Sequence, residues 1–317
     1  MSTGNDRDDN YRLHNGSFLG LFLLTALPFV SSPMALVAGL SFSLAFGNPL
    51  PDLTSKASKF LLKLSVIGLG FGVNFVEVIE VGKNSLVLTL ISITATLCLG
   101  ELIGQAMKIP LNTRALVSFG TAICGGSAIA AMAPIIKAKD DEIAVSLATV
   151  FTLNAVALVI FPPMGHFFEL NQHQFGLWAA LAIHDTSSVV GASATFGAVA
   201  LTVGTTAKLV RALWIAPFSM LAGFFWKTKE KASVPIFILG FIAAAFINSW
   251  LPAFDQFWNG LYSVSKQVLV MTLFLIGAGL TRQVLKQVGV RPLLLGIILW
   301  IIVGSVTLWL IVNGYIR

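Results

Sequence analysis

AICGGSAI (Ala122–Ile129) and AIHDTSSVV (Ala182–Val190) decide how this chain folds. Each lies inside a long apolar run, and each should stop a helix there. Gly125-Gly126 does so because residues without a Cβ reach backbone conformations closed to others. Asp185-Thr186-Ser187-Ser188 does so by offering side-chain oxygens to backbone N–H groups, as helix N-caps do. Around them, 56% of the 317 residues are hydrophobic and 11% are charged. Soluble domains carry roughly 25% charged residues, and a soluble protein of this length needs far more polar surface to cover its core. With a mean hydropathy of +0.87, this is the composition of a polytopic membrane protein. A soluble enzyme, a disulfide-stapled secreted scaffold and a disordered chain are excluded. Breaks of this kind in lipid are tolerated only where protein or a water-filled cavity surrounds them.

Eleven apolar stretches can be marked: 17–30, 33–46, 57–78, 85–107, 115–136, 143–161, 176–203, 207–226, 234–250, 258–280 and 293–312. Backbone groups in lipid must be satisfied within the segment, so these are read as helices. The first two are short, as tilted or interfacial segments are. The expected fold is an all-α membrane protein of about 9–11 membrane segments. Two of these, 113–137 and 173–203, are interrupted or re-entrant. Residues 1–16 read as a polar cytoplasmic tail, unlike a cleavable signal peptide, and 17–317 as a single transmembrane domain. Cys98 and Cys124 lie in apolar runs, and no Cys/His cluster suggests a metal.

Charge bias favours re-entrance. With a cytoplasmic N-terminus and both interrupted segments folded back, most Lys and Arg residues fall on the inner side. These include Lys56, Lys59, Lys63, Lys108, Arg114, Lys137, Lys139, Lys227, Lys229, Lys231, Arg282, Lys286 and Arg291. Lys83, Lys208, Arg211 and Arg317 fall outward. The connections 165–174 and 251–256 carry neither Lys nor Arg, as outer loops should. The net charge of +6 is therefore chiefly an orientation signal and implies no nucleic-acid partner.

The two interrupted motifs align: Ala122 with Ala182, Ile123 with Ile183, Ser127 with Ser187. A weaker match pairs Gly39 with Gly240, Leu50-Pro51 with Leu251-Pro252, and IGLG (Ile67–Gly70) with IGAG (Ile276–Gly279). Inverted repeats with paired broken helices mark secondary transporters, with the site where the breaks meet.

At each break a second half-helix starts, and its N-terminus carries about half a positive charge and unpaired N–H groups. Two such ends converging make an anion site, to which Ser127, Thr186, Ser187 and Ser188 add hydroxyls. Cys124, Gly125 and Gly126 line the first break. Lys208 and Arg211, placed at the start of the helix 207–226, share a face and would attract or contact the anion; snorkelling to outer headgroups is the other reading. His184-Asp185 is the one His/Asp pair in the apolar body. It would carry a proton or help hold Na⁺, or Asp185 would cap the half-helix while His184 bonds locally. Asn154, a lone amide in an apolar run, would gate or make an interhelical hydrogen bond. No catalytic motif and no phosphate loop stands out, so ATP is not the expected energy source.

GTAICGGSAIAAMAPIIKAKDDEIAVSLATVF (120–151), AIHDTSSVVGAS (182–193), AKLVRALWIAP (207–217) and IGAGL with GVRPLLLG (276–280, 289–296) together resemble the YeiH-type family of bacterial membrane proteins, whose members bear a sulfate-exporter label. The resemblance covers nearly the whole chain after residue 17. It implies an inner-membrane protein of roughly ten spans, with Cys124–Ser127, His184–Ser188, Lys208 and Arg211 as its site positions.

The expectation is thus a secondary transporter of a small anion, a sulfate-like oxyanion or an organosulfonate. It would work by alternating access, with H⁺ or Na⁺ as coupling ion, no cofactor, and a homodimer by architectural analogy. The rivals are a cation/proton exchanger built on Asp185, a membrane-embedded enzyme acting on lipid or quinone, and an anion channel.

Overall fold

A computed structural model describes residues 5–226, 236–279 and 289–316. The basic residues Lys227, Lys229, Lys231, Arg282, Lys286 and Arg317, used above for orientation, lie outside that range. The described chain is helical, with no strand among the described residues. Five stretches are long and apolar enough to cross a membrane: Leu86–Ala106, Asp141–Phe167, Ala198–Phe225, Pro252–Gly279 and Val290–Val312. This is a multi-pass membrane protein. The polar tail is not separate from the first helix, because α1 (Asn5–Leu24) runs through most of it.

The sequence reading treats 17–317 as one domain. By packing, the helices gather into two compact units: Met1–Asn74 with Gly240–Gln283, and Phe75–Leu239 with Val284–Arg317.

The first unit is built on α2 (Ser32–Phe46), α3 (Pro51–Leu69), the C-terminal part of α12 (Ile236–Trp250) and α13 (Asp255–Gly279). Small residues let backbones approach closely in lipid, and here they do so reciprocally. Gly39 of α2 lies against the backbone of Phe274 and Ala278, and Gly277 of α13 lies against Leu36 and Leu40. Gly240 of α12 lies against Ile67 of α3, and Gly70 lies against Phe241. Asn48 donates to the Ala278 carbonyl at 3.1 Å, and Asn248 donates to the Val73 carbonyl at 3.4 Å. α3 and α13 run antiparallel: Phe71 stacks on Trp258 at 5.1 Å, and Asn48, just before α3, meets the far end of α13. Leu50 and Leu251, each before a proline, share one backbone conformation (φ −131, ψ 58 and φ −122, ψ 61).

The second unit is organised along α7 (Asp140–Phe167). The first interrupted segment forms α5 (Leu111–Ala122) and α6 (Gly126–Ile135); the second forms α8 (Gln172–Ala182) and α9 (Thr186–Phe196). An 11-residue helix is about 16 Å long, half the hydrocarbon thickness of about 30 Å. Both segments are hairpins. Asn112, at the start of α5, donates to Glu142 at 3.0 Å, which places that start beside the turn following α6. Phe175, at the start of α8, stacks on Phe196, at the end of α9, with ring centroids 3.8 Å apart.

The hairpins approach α7 from its two ends. The base of the first meets Glu142, and the base of the second meets Gly165 and His166, the latter stacked on Phe196. Their tips reach the middle of α7, at Val150 and Asn154. α4 (Phe75–Ala106), α10 (Ala198–Leu213), α11 (Ile215–Phe225) and α14 (Val290–Val312) complete the unit. α14 accepts the Trp178 indole N–H on the Gly304 carbonyl at 3.0 Å.

One helix boundary differs from the sequence reading, and it matters for the site. The second half-helix ends at Phe196, and α10 begins at Ala198 after an extended Gly197. Lys208 and Arg211 therefore sit in the last turns of a helix, not at the start of one.

Candidate functional site

The first tip is a glycine structure. α5 ends at Ile123 (φ −118, ψ −82), and Gly125 takes φ 62, ψ −127. That conformation is open to glycine and strained for other residues. The turn is closed by the Gly125 N–H donating to the Gly120 carbonyl at 2.8 Å. Cys124 is buried inside it.

The second tip is a capping structure. Asp185 (φ −95, ψ 146) is the N-cap of α9, and its carboxylate accepts from the Ser187 N–H at 3.0 Å and from the Ser187 hydroxyl. The Asp185 N–H in turn donates to Asn154 Oδ1 at 3.1 Å, which ties the tip to α7.

The tips touch. A Cβ built on Gly125 would stand 3.1 Å from Asp185 Cβ and 3.2 Å from Asp185 Cα. Two half-helix N-termini, at Gly126 and Thr186, therefore adjoin. Ser127 is exposed, while Asp185 and Ser187 are partly exposed; Thr186, Ser188 and Asn154 are buried.

Lys208 and Arg211 serve the opposite ends, the C-termini of the first half-helices. Lys208 Nζ donates to the carbonyls of Ile183 at 2.7 Å and Ala180 at 3.3 Å. Arg211 donates from Nε to the Ala122 carbonyl at 2.8 Å, from a terminal nitrogen to the same oxygen, and from the other terminal nitrogen to the Leu181 carbonyl at 2.8 Å. One guanidinium thus joins the end of α5 to the end of α8. Both side chains are sealed, at 0% and 1% exposure, which rules out the snorkelling reading.

Sequence reasoning missed several polar residues here. Ser92 of α4 receives a 3.5 Å contact from Arg211. Thr121, Thr205 and Thr206 are buried with hydroxyls that have no hydrogen-bond partner among the described residues, and the same holds for both ring nitrogens of His184 and Nδ2 of Asn154. Thr205-Thr206, a hydroxyl pair one turn before Lys208 on an apolar helix, was the legible signal. No cluster of three or more potential metal ligands exists among the described residues.

A family model described as Conserved hypothetical protein 698 matches residues 29–296. A UPF0324 membrane protein of Geobacter sulfurreducens is 53% identical over 93% of this chain and 96% of its own length. One of Bdellovibrio bacteriovorus is 52% identical over 93% of each chain. One of Porphyromonas gingivalis is 46% identical over 98% of this chain and its whole length. No solved structure matches. With such identity over nearly the full length, the chain belongs to the UPF0324 family of membrane proteins, the YeiH-type family its motifs resemble.

Proposed function

We propose that this protein is a secondary transporter of a small anion, a sulfate-like oxyanion or an organosulfonate, in a bacterial inner membrane. The observation that carries the reading is the meeting of two hairpin tips entering from opposite ends of α7. Four half-helix ends converge there, two positive and two negative, each worth about half a charge, so they cancel. The formal side-chain charges do not: Lys208 and Arg211 outnumber Asp185 by one positive charge. A site with a positive balance, two adjoining helix N-termini and the exposed hydroxyl of Ser127 suits an anion.

The reciprocal packing of α2 on α13 and of α12 on α3, with α3 and α13 antiparallel, supports an inverted repeat. Alternating access, by a shift of the hairpin-bearing part against the remaining helices, is the mechanism the proposal adopts. The N-terminus is placed in the cytoplasm, and the working assembly is taken as a homodimer.

The second reading, cation/proton exchange, is favoured by the partial exposure of the Asp185 carboxylate. Flux into proteoliposomes separates the two. The anion reading expects saturable uptake of sulfate, sulfite or a small organosulfonate. Ser127→Ala should raise KM on the order of tenfold, as loss of a hydrogen bond to a charged ligand does. Absence of anion flux, together with cation/proton exchange abolished by Asp185→Asn, overturns it.

A further inference from the structure

α5 and α8 end side by side inside the protein. The last carbonyls of a helix have no partner within it and carry about half a negative charge. Buried in a membrane protein, such ends call for a cation, and secondary transporters use unwound carbonyls and half-helix C-termini to coordinate Na⁺ or H⁺. Here the carbonyls of Ala122, Ala180, Leu181 and Ile183 all accept from Lys208 or Arg211. Neither cation forms an ion pair with a carboxylate among the described residues, where the salt bridge is Arg114–Glu101. Asp185, the acidic group at the tips, spends its accepted bonds on Ser187. The partners of the two buried charges are the helix ends themselves.

We propose that Lys208, backed by Arg211, is a resident counter-cation: its ammonium fills the carbonyl-lined position at the junction of the half-helices that a coupling Na⁺ would otherwise take, and the site works without Na⁺. The ammonium is a compact point charge with three donors, so it can serve two carbonyls from one position. Its stem is anchored on α10, outside both hairpin tips, so the charge stays when an anion leaves. The consequence for transport rests on the anion reading above; the occupancy of the cation position does not.

The test uses the full-length protein in detergent, with thermal unfolding as readout and no anionic substrate added. Replacing Na⁺ with choline at constant ionic strength should leave the wild-type melting temperature unchanged. Lys208→Ala should melt roughly 5–7 °C lower, since stripping one partner from a buried charge set is strongly destabilising. Millimolar methylammonium, the missing head group, should recover half or more of that loss, and choline none. Lys208→Met, which refills the space without charge, should not respond to methylammonium.

Saturable stabilisation of the wild type by Na⁺ overturns the proposal. So does a folded Lys208→Ala protein that melts like the wild type or ignores methylammonium. Should Lys208→Ala fail to fold, the wild-type sodium titration decides alone. Methylammonium rescue in a protein that transports no anion would sink the anion reading and leave the resident cation standing.

Discussion

Gly125 and Gly126 are neighbouring glycines, and the structure predicts different responses to one added methyl group. At Gly125, alanine must adopt φ 62, ψ −127, which costs about 1–3 kcal/mol for a residue with a Cβ. Its methyl also presses on Asp185 Cα at 3.2 Å, a backbone atom that no side-chain rotation can move. A further 1 kcal/mol or so for that crowding brings the total to about 2–4 kcal/mol. Gly126 is helical, so alanine there gains about 1 kcal/mol of propensity. Its methyl meets the ring of Phe151 at 3.0 Å, and that ring is 37% exposed and free to give way; the two effects leave Gly126→Ala near neutral. For 317 residues, an unfolding entropy of about 2 cal/mol/K per residue makes 1 kcal/mol worth roughly 1.5 °C. Gly125→Ala should therefore melt about 3–6 °C below Gly126→Ala by intrinsic tryptophan fluorescence. Equal melting temperatures for the two variants would refute the contact between the tips and the glycine-only turn together.

Arg211→Met strips donors from the Ala122 and Leu181 carbonyls, at about 1–3 kcal/mol for each, partly offset by no longer burying a charge; amide hydrogen exchange should rise at both tips together, and a rise confined to one contradicts the bridging role. Gly277→Val drives a side chain into the backbone of Leu36 and Leu40, whereas Gly279→Ala meets nothing within 4 Å among the described residues; a melting temperature lowered by several degrees for the first, and unchanged for the second, is the expected result.

Both breaks were legible because each announces itself locally: glycine alone takes the Gly125 conformation, and Asp185 caps through the residue two positions on. The hairpin character followed from charge bias. The start of α10 was not legible, and with it went the true position of Lys208 and Arg211. Its first N–H groups, from Val199 and Ala200, are accepted by the side chain of Gln172, 27 and 28 residues away. A cap supplied from so far along the chain leaves no mark near the boundary, and Gly197 in an apolar run looks like a tolerated interior glycine. Nor could the sequence tell that the two cations face carbonyls. That depends on α8 and α10 running parallel, which Gly176 against Ala200 and Gly204 and Lys208 against Ala180 reveal.

The guanidinium spanning Ala122 and Leu181 has a kinematic consequence. A gate in which one hairpin swings while the other stays fixed would have to tear bonds from a sealed charge with no water to replace them. Motion that carries both tips as a single piece breaks none of them. The bridge therefore sorts the possible displacements into cheap and dear, and directs any large motion toward travel of the paired hairpins as one block.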